Sequence, residues 1–190
     1  MTGIILSGGE NSRMSENKAF VVMDGERLID RTLKIFRNLF KDVIVVTNSP
    51  LDYLDLDATL VTDIYPGKKA LGGIYTGLFY AACPHAFVAA CDMPYLNPQF
   101  IVWMMQQAPA YDIVVPQTPG GLEPLHAIYA KSCLPHMKRR IMQDRLKITG
   151  FYKGLKCLNI PDSVQKSYDP EHRMFINVNT REDLARLQTR

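Results

Sequence analysis

The chain has 190 residues, of which 47% are hydrophobic and 22% charged, and its formal net charge is +3. The composition excludes a disordered polyelectrolyte, and the length predicts one domain over residues 1–190 with a sizeable core. So slight a positive excess gives no ground for nucleic-acid binding, which calls for a basic stripe or cluster.

In chain order, Gly3-Ile4-Ile5-Leu6 is a continuous apolar run, which suits a strand buried on both faces. Leu28, Ile29, Leu33, Phe36 and Phe40 recur at helical spacing among Arg27, Asp30, Arg31, Lys34 and Arg37. This predicts an amphipathic helix from about Glu26 to Phe40. Asp42 to Val46 is a second strand, Thr59 to Thr62 a third and Ala86 to Ala90 a fourth. Gly73 to Cys83 has helix composition, and Asn97 with Pro98 forms an N-cap and first-turn pair opening a helix to about Gln107. The alternation over residues 1–115 predicts an α/β fold, a mostly parallel sheet with helices on both faces.

Past a further strand, Asp112 to Pro116, the pattern is less regular through Gly120-Gly121 and the run Leu125 to Tyr129. From Lys131 to Lys156 eight Lys or Arg residues stand against one acid, Asp144, with Lys138-Arg139-Arg140 in a predicted helix. A solvated helix face explains this, and an anionic ligand or partner is the alternative. Met174 to Val178 is apolar, and Thr180 with Asp183 fits a capping box.

Cys83, Cys91, Cys133 and Cys157 form no C-x-x-C pair, so no zinc or redox site is legible, and three or more are expected to be buried thiols. The start of the chain carries no basic leader, and no apolar run nears the roughly 18 residues of a membrane span. A cytosolic, reducing location is expected, with no membrane and no nucleic acid among the partners.

Ligands of parallel α/β sheets bind beyond the carboxyl ends of the strands. Four polar connections fall there: the Ser7-Gly8-Gly9 loop after the first strand, Asn48 after the second, Asp63 after the third and Cys91-Asp92-Met93-Pro94 after the fourth. The first lies in LSGGENSRMSENKAF, Leu6 to Phe20. It matches neither the Walker loop, because Lys18 stands between Asn17 and Ala19, nor G-x-G-x-x-G. Paired glycines let backbone amides approach a ligand closely, while Ser12, Arg13 and Lys18 can reach its charged end. A nucleoside triphosphate has that shape.

The same stretch resembles the L-A-G-G-x-S-x-R-M-G-x-x-K-A signature of nucleotidyltransferases, in particular the molybdenum cofactor guanylyltransferases. The likeness continues through Pro66-Gly67, Leu71 to Leu78, Cys91 to Pro94, Glu123-Pro124-Leu125 and Asn177 to Thr180. It implies a Rossmann-like fold of the nucleotide-diphospho-sugar transferase type, and GMP transfer from GTP to the phosphate of molybdopterin with Mg²⁺ and pyrophosphate release. Protein partners of cofactor synthesis are a further expectation.

For site residues the resemblance implies that Leu6, Ser7, Gly8 and Gly9 contact the guanine and that Asn48 and Asp63 line the GTP site. Asp63 as an acceptor for guanine's N1 and N2 donors and Asp63 as the cap of a turn both fit the sequence. In the implied reaction, Asp92 carries the Mg²⁺, because a short hard carboxylate suits an ion shared with phosphate oxygens. Arg13 and Lys18 hold the β- and γ-phosphates. Gly73, Asn177 and Asn179 are assigned to the acceptor. Ser7 and Ser15 depart from the signature's alanine and glycine, changes a loop absorbs by hydrogen bonding, and Lys68-Lys69 adds two cations where an acceptor phosphate would dock. His126 is expected to be a satisfied core histidine, Trp103 with Met104 and Met105 a helix core stripe, and His85 a loop residue. A cytidylyltransferase, a sugar-1-phosphate nucleotidyltransferase and a non-catalytic nucleotide-binding regulator are the competing readings.

Overall fold

A computed structural model of the chain describes residues 1–8, 17–178, 180, 183, 184 and 187. Strand β1 (Thr2–Leu6) is buried along its whole length. A tight hairpin joins β2 (Val22–Met23) to β3 (Glu26–Arg27). Its turn residues Asp24 and Gly25 both have positive φ, which is the Asp-Gly chemistry such turns favour. The hairpin takes Glu26 and Arg27, so helix α1 (Leu28–Leu39) begins two residues later than hydrophobic spacing predicts. Arg27 then ties the helix start down through Asp30 and Asp55, each at 2.6 Å.

After β4 (Asp42–Val46) and β5 (Thr59–Val61) comes α2 (Lys69–Tyr80), which starts earlier and stops earlier than Gly73 to Cys83. It ends where Ala81 turns to ψ 134°, its amide closing on the Gly77 carbonyl at 2.9 Å. Then follow β6 (His85–Ala90), α3 (Pro98–Gln107), β7 (Ile113–Thr118) and β8 (Gly121–Leu122). The remaining elements are β9 (His126–Ala130), α4 (Leu134–Met142), β10 (Cys157–Ile160) and α5 (Asp162–Lys166). Asn97 caps α3 as expected, accepting from the Phe100 amide at 3.0 Å. Thr180 and Asp183 exchange the two bonds of a capping box at 2.9 and 3.0 Å.

The sheet runs β10-β7-β9-β6-β1-β4-β5, with β8 paired to β7. Strands β6, β1, β4 and β5 are mutually parallel, and β9 lies antiparallel between β6 and β7. The irregular run Leu125 to Tyr129 is thus mostly strand. It lacks alternation because both its faces are covered. His85, expected in a loop, opens β6 and sets Nε2 3.1 Å from the Tyr111 carbonyl. Successive β1 residues feed opposite sides: Ile5 joins Leu33, Phe36, Phe100 and Met104 of α1 and α3, while Ile4 joins Leu71, Leu78, Met137 and Ile141 of α2 and α4. Trp103 and Met105 flank the first cluster and Met104 is inside it.

Close helix-to-sheet packing explains one glycine of α2. A Cβ on Gly77 would lie 2.5 Å from Cγ2 of Ile4, a stiff, fully buried side chain. Gly77→Ala is expected to lower stability by about 1–3 kcal/mol through overpacking, read as a shifted denaturation midpoint at unchanged slope.

Two further expectations are corrected. Only Cys91 and Cys133 are buried, with Cys83 and Cys157 partly exposed and all four thiols free. Cys83 follows α2 near its exposed end, and Cys157 sits on edge strand β10, where one side lacks cover. His126 is fully buried among Phe87, Phe100 and Phe175, but neither ring nitrogen finds a hydrogen-bond partner, so it is not a satisfied histidine. Its aromatic neighbours offer ring faces and edges instead of acceptors. Among the described residues no helix is long and apolar enough to cross a membrane.

Candidate nucleotide-binding and transfer site

The carboxyl ends of β1, β4, β5 and β6 share one rim because these strands are parallel and in register: Leu6 stands beside Val46 and Ala90, and Val46 beside Val61. The next residues of each strand build the site. Ser7 is buried and held by its amide on the Val46 carbonyl at 2.9 Å, and Gly8 after it is exposed. A Cβ on Gly8 would meet nothing within 4 Å, which leaves open space over that backbone.

Asn48 and Asp63 exchange two hydrogen bonds. The Asn48 amide donates to Asp63 Oδ2 at 2.9 Å, and the Asp63 N–H donates back to Asn48 Oδ1 at 3.2 Å. The second carboxylate oxygen, Oδ1, is buried without a partner, and burial pushes the acid above the usual carboxylate range, opposed by the Asn48 bond. Gly73 lies directly beneath: a Cβ there would come 3.3 Å from a Leu6 methyl and 3.8 Å from Asp63 Oδ1. The structure therefore groups Gly73 with Leu6 and Asp63.

Lys18 stands on a single 3-10 turn, Lys18–Phe20, whose N-cap Asn17 accepts the Ala19 amide at 3.2 Å. Its ammonium faces Asp92 Oδ2 at 4.0 Å. Asp92 Oδ1 is buried with no partner, and burial raises the acid, offset by the charge of Lys18. Two half-buried acids on one rim, each with one buried and orphaned oxygen, suit donors or cations. Among the described residues no cluster of three or more His, Cys, Asp or Glu side chains could hold a metal ion. The neighbouring Cys91 thiol is pushed up to about 12 by burial, so it stays protonated and packs rather than reacts.

Asn177 reaches this rim through its neighbour, since the Val178 amide donates to the Asp92 carbonyl at 2.9 Å. Its own side chain is exposed. Lys68 is turned to Asp144 at 3.0 Å, joining the start of α2 to the basic segment. In that segment Lys138 and Arg139 are exposed to solvent. Glu123 is partly buried and accepts from Thr118 at 3.1 Å, an intramolecular use. Gly9, Ser12, Arg13, Ser15 and Asn179 lie outside the described residues.

Sequence reasoning missed Tyr53. Its hydroxyl meets Ser7 Oγ and the Asn17 side chain, both at 2.7 Å. Ser7 does absorb its departure by hydrogen bonding, but the partner comes from a distant connection. Nothing in Pro50-Leu51-Asp52-Tyr53 signals this; only Asn17 before Lys18 could have been read as a cap.

The family model of the MobA-like NTP transferase domain matches residues 3–154. The chain is 37% identical over 190 residues to the molybdenum cofactor guanylyltransferase of Desulfosudis oleivorans, covering 99% of this chain and 94% of that one. It is 33% identical to a probable molybdenum cofactor guanylyltransferase of Natranaerobius thermophilus, at 97% and 93% coverage. Among solved structures it is similar to molybdopterin-guanine dinucleotide biosynthesis protein A from Archaeoglobus fulgidus, with a TM-score of 0.88, 27% identity, and coverage of 100% and 97%. A family-model match over residues 3–154, with 37% identity along the whole chain, shows that the chain belongs to the MobA-like NTP transferase domain family.

Proposed function

We propose that the chain, acting as a single domain over residues 1–190, transfers GMP from GTP to the terminal phosphate of molybdopterin. The products are molybdopterin guanine dinucleotide and pyrophosphate. The observation that carries this reading is the pairing of Lys18 with an Asp92 that keeps one buried oxygen unpartnered, in a chain 37% identical to a relative named for this activity.

In this reading the backbone of Leu6, Ser7, Gly8 and Gly9 lies along the guanine. Asp63 offers its orphaned Oδ1 to guanine's N1 and N2 donors while Asn48 holds the other oxygen. Arg13 and Lys18 take the β- and γ-phosphates and stabilise the departing pyrophosphate. Asp92 would hold Mg²⁺, and the orphaned Oδ1 fits it, because this ion is commonly bound by one or two carboxylates with phosphates and waters filling the remaining positions. Charge neutralisation at the phosphate oxygens is what that ion supplies when bound. Asn177 and Asn179 are assigned to the acceptor, whereas Gly73, expected there too, packs against Leu6 and Asp63 on the guanine side. An acceptor phosphate oxygen attacks the α-phosphorus as the bond to pyrophosphate breaks, and the attacking group is already ionised, so no protein base is required. A cytoplasmic site of action fits the four free thiols.

Purified protein with Mg²⁺, molybdopterin and each triphosphate in turn tests the reading. Formation of the guanine dinucleotide with kcat/KM for GTP at least tenfold above that for CTP is expected. Equal use of CTP reassigns the chain as a cytidylyltransferase, preference for a sugar 1-phosphate acceptor reassigns it among sugar nucleotidyltransferases, and triphosphate binding without turnover leaves a regulator.

A further inference from the structure

Tyr53 ends the Pro50–Tyr53 turn between β4 and β5 and is fully buried. Its ring packs on Phe20 at 4.9 Å between centroids, which brings its hydroxyl to the two sides of the stretch 9–16. On one side it shares a 2.7 Å hydrogen bond with Ser7 Oγ at the end of β1. On the other it accepts from Asn17 Nδ2, also at 2.7 Å. The Asn17 amide is oriented by its second bond, with Oδ1 taking the Ala19 N–H at 3.2 Å, so Nδ2 must face the tyrosine. The covalent path from Ser7 to Lys18 passes through all of residues 9–16, whereas the path through Tyr53 crosses two hydrogen bonds.

We propose that the Tyr53 hydroxyl is a positioning group that locks the turn carrying Lys18 to the end of β1, so that the lysine is in place before the triphosphate arrives. The inference rests on the transferase reading above. Tyr53 has no exposed surface and touches no substrate; it acts through Asn17. Because burial pushes its phenol up, the hydroxyl keeps its proton across the working range. A site that is already ordered binds at its intrinsic affinity, and one competent for a tenth of the time binds about tenfold more weakly, with the bound complex unchanged. Loss of the clamp therefore raises KM for the triphosphate and spares kcat.

The test is Tyr53→Phe, which keeps the ring on Phe20 and removes the shared hydroxyl. Two readouts are needed. Amide exchange by NMR is expected to speed up about tenfold or more at Ala19, Phe20 and Val21 and to stay unchanged at Ile4 and Ile5. In the transfer assay KM for GTP is expected to rise about five- to tenfold with kcat within twofold. The double variant Ser7→Ala/Tyr53→Phe is expected to match Tyr53→Phe, because the link is already cut. Unchanged exchange at Ala19 and Phe20 overturns the clamp whatever the substrate is. An unchanged KM in an active enzyme overturns it too, as does recovery of KM in the double variant, which would trace the effect to an unsatisfied Ser7 hydroxyl. If the unaltered protein transfers no GMP at all, the transferase reading falls, and exchange alone decides whether the clamp stands.

Discussion

Asp92→Asn is expected to reduce guanylyl transfer by about three orders of magnitude while leaving the protein folded and no less stable. Transfer joins two phosphate groups, and two unit charges about 4 Å apart at a near-surface effective dielectric repel by roughly 4 kcal/mol. At 1.36 kcal/mol per decade this repulsion, uncompensated in the transition state, corresponds to about three decades in rate. In the proposed function Asp92 is the acid that would bring a cation to that point, and its isosteric amide would not. Stability moves the other way because burial holds this carboxyl above the usual range, so the fold disfavours its charged form at neutral pH. Steady-state rates and thermal midpoints on the same preparations check both halves. Near-normal activity in Asp92→Asn would take Asp92 out of the reaction.

The second large effect concerns acid stability. His126 is fully buried with both ring nitrogens unpartnered, and burial alone lowers it from 6.5 to about 3. Because the folded value lies below the unfolded one, the unfolded chain takes up the proton first. The contribution of this group is therefore complete above about pH 6.5 and is lost as pH falls toward 3. At about 1.4 kcal/mol per unit the full linkage approaches roughly 5 kcal/mol. His126→Met, similar in volume and suited to an aromatic surround, is expected to flatten this acid limb. At neutral pH it should also be more stable by about 1–3 kcal/mol, since two unpartnered polar atoms leave the core. Urea denaturation midpoints at pH 7.5 and pH 5 check it: the gap between the two should be wide in the unaltered protein and narrow in the variant. An equal gap in both would show that the acid limb comes from other groups.

His126 also shows where sequence stops being informative. Its position in an apolar run announced burial, but whether a partner waited there depended on side chains from β6, α3 and the segment around Phe175, all remote in sequence. Likewise the helical spacing of Leu28 to Phe36 announced α1, while its true start was decided by the Asp24-Gly25 turn that claims Glu26 and Arg27 for a hairpin. Strand β9 was obscured because a strand covered on both faces loses the alternation that would identify it.

What the sequence determined by itself is local chemistry: a strand ending in glycines, the Asn97 cap with Pro98, the Thr180 and Asp183 capping box, and the acids and amide that follow strands β4, β5 and β6. Parallel pairing then obliges Asn48, Asp63 and Asp92 to share a rim with Gly8, so even their convergence was legible once strand direction was inferred. Only the tertiary structure decided that Lys18 faces Asp92 and that Tyr53 spans Ser7 and Asn17. Those contacts join residues far apart in the chain, and no periodicity records them, because side-chain meeting across a loop is set by how the layers pack and not by spacing along the backbone.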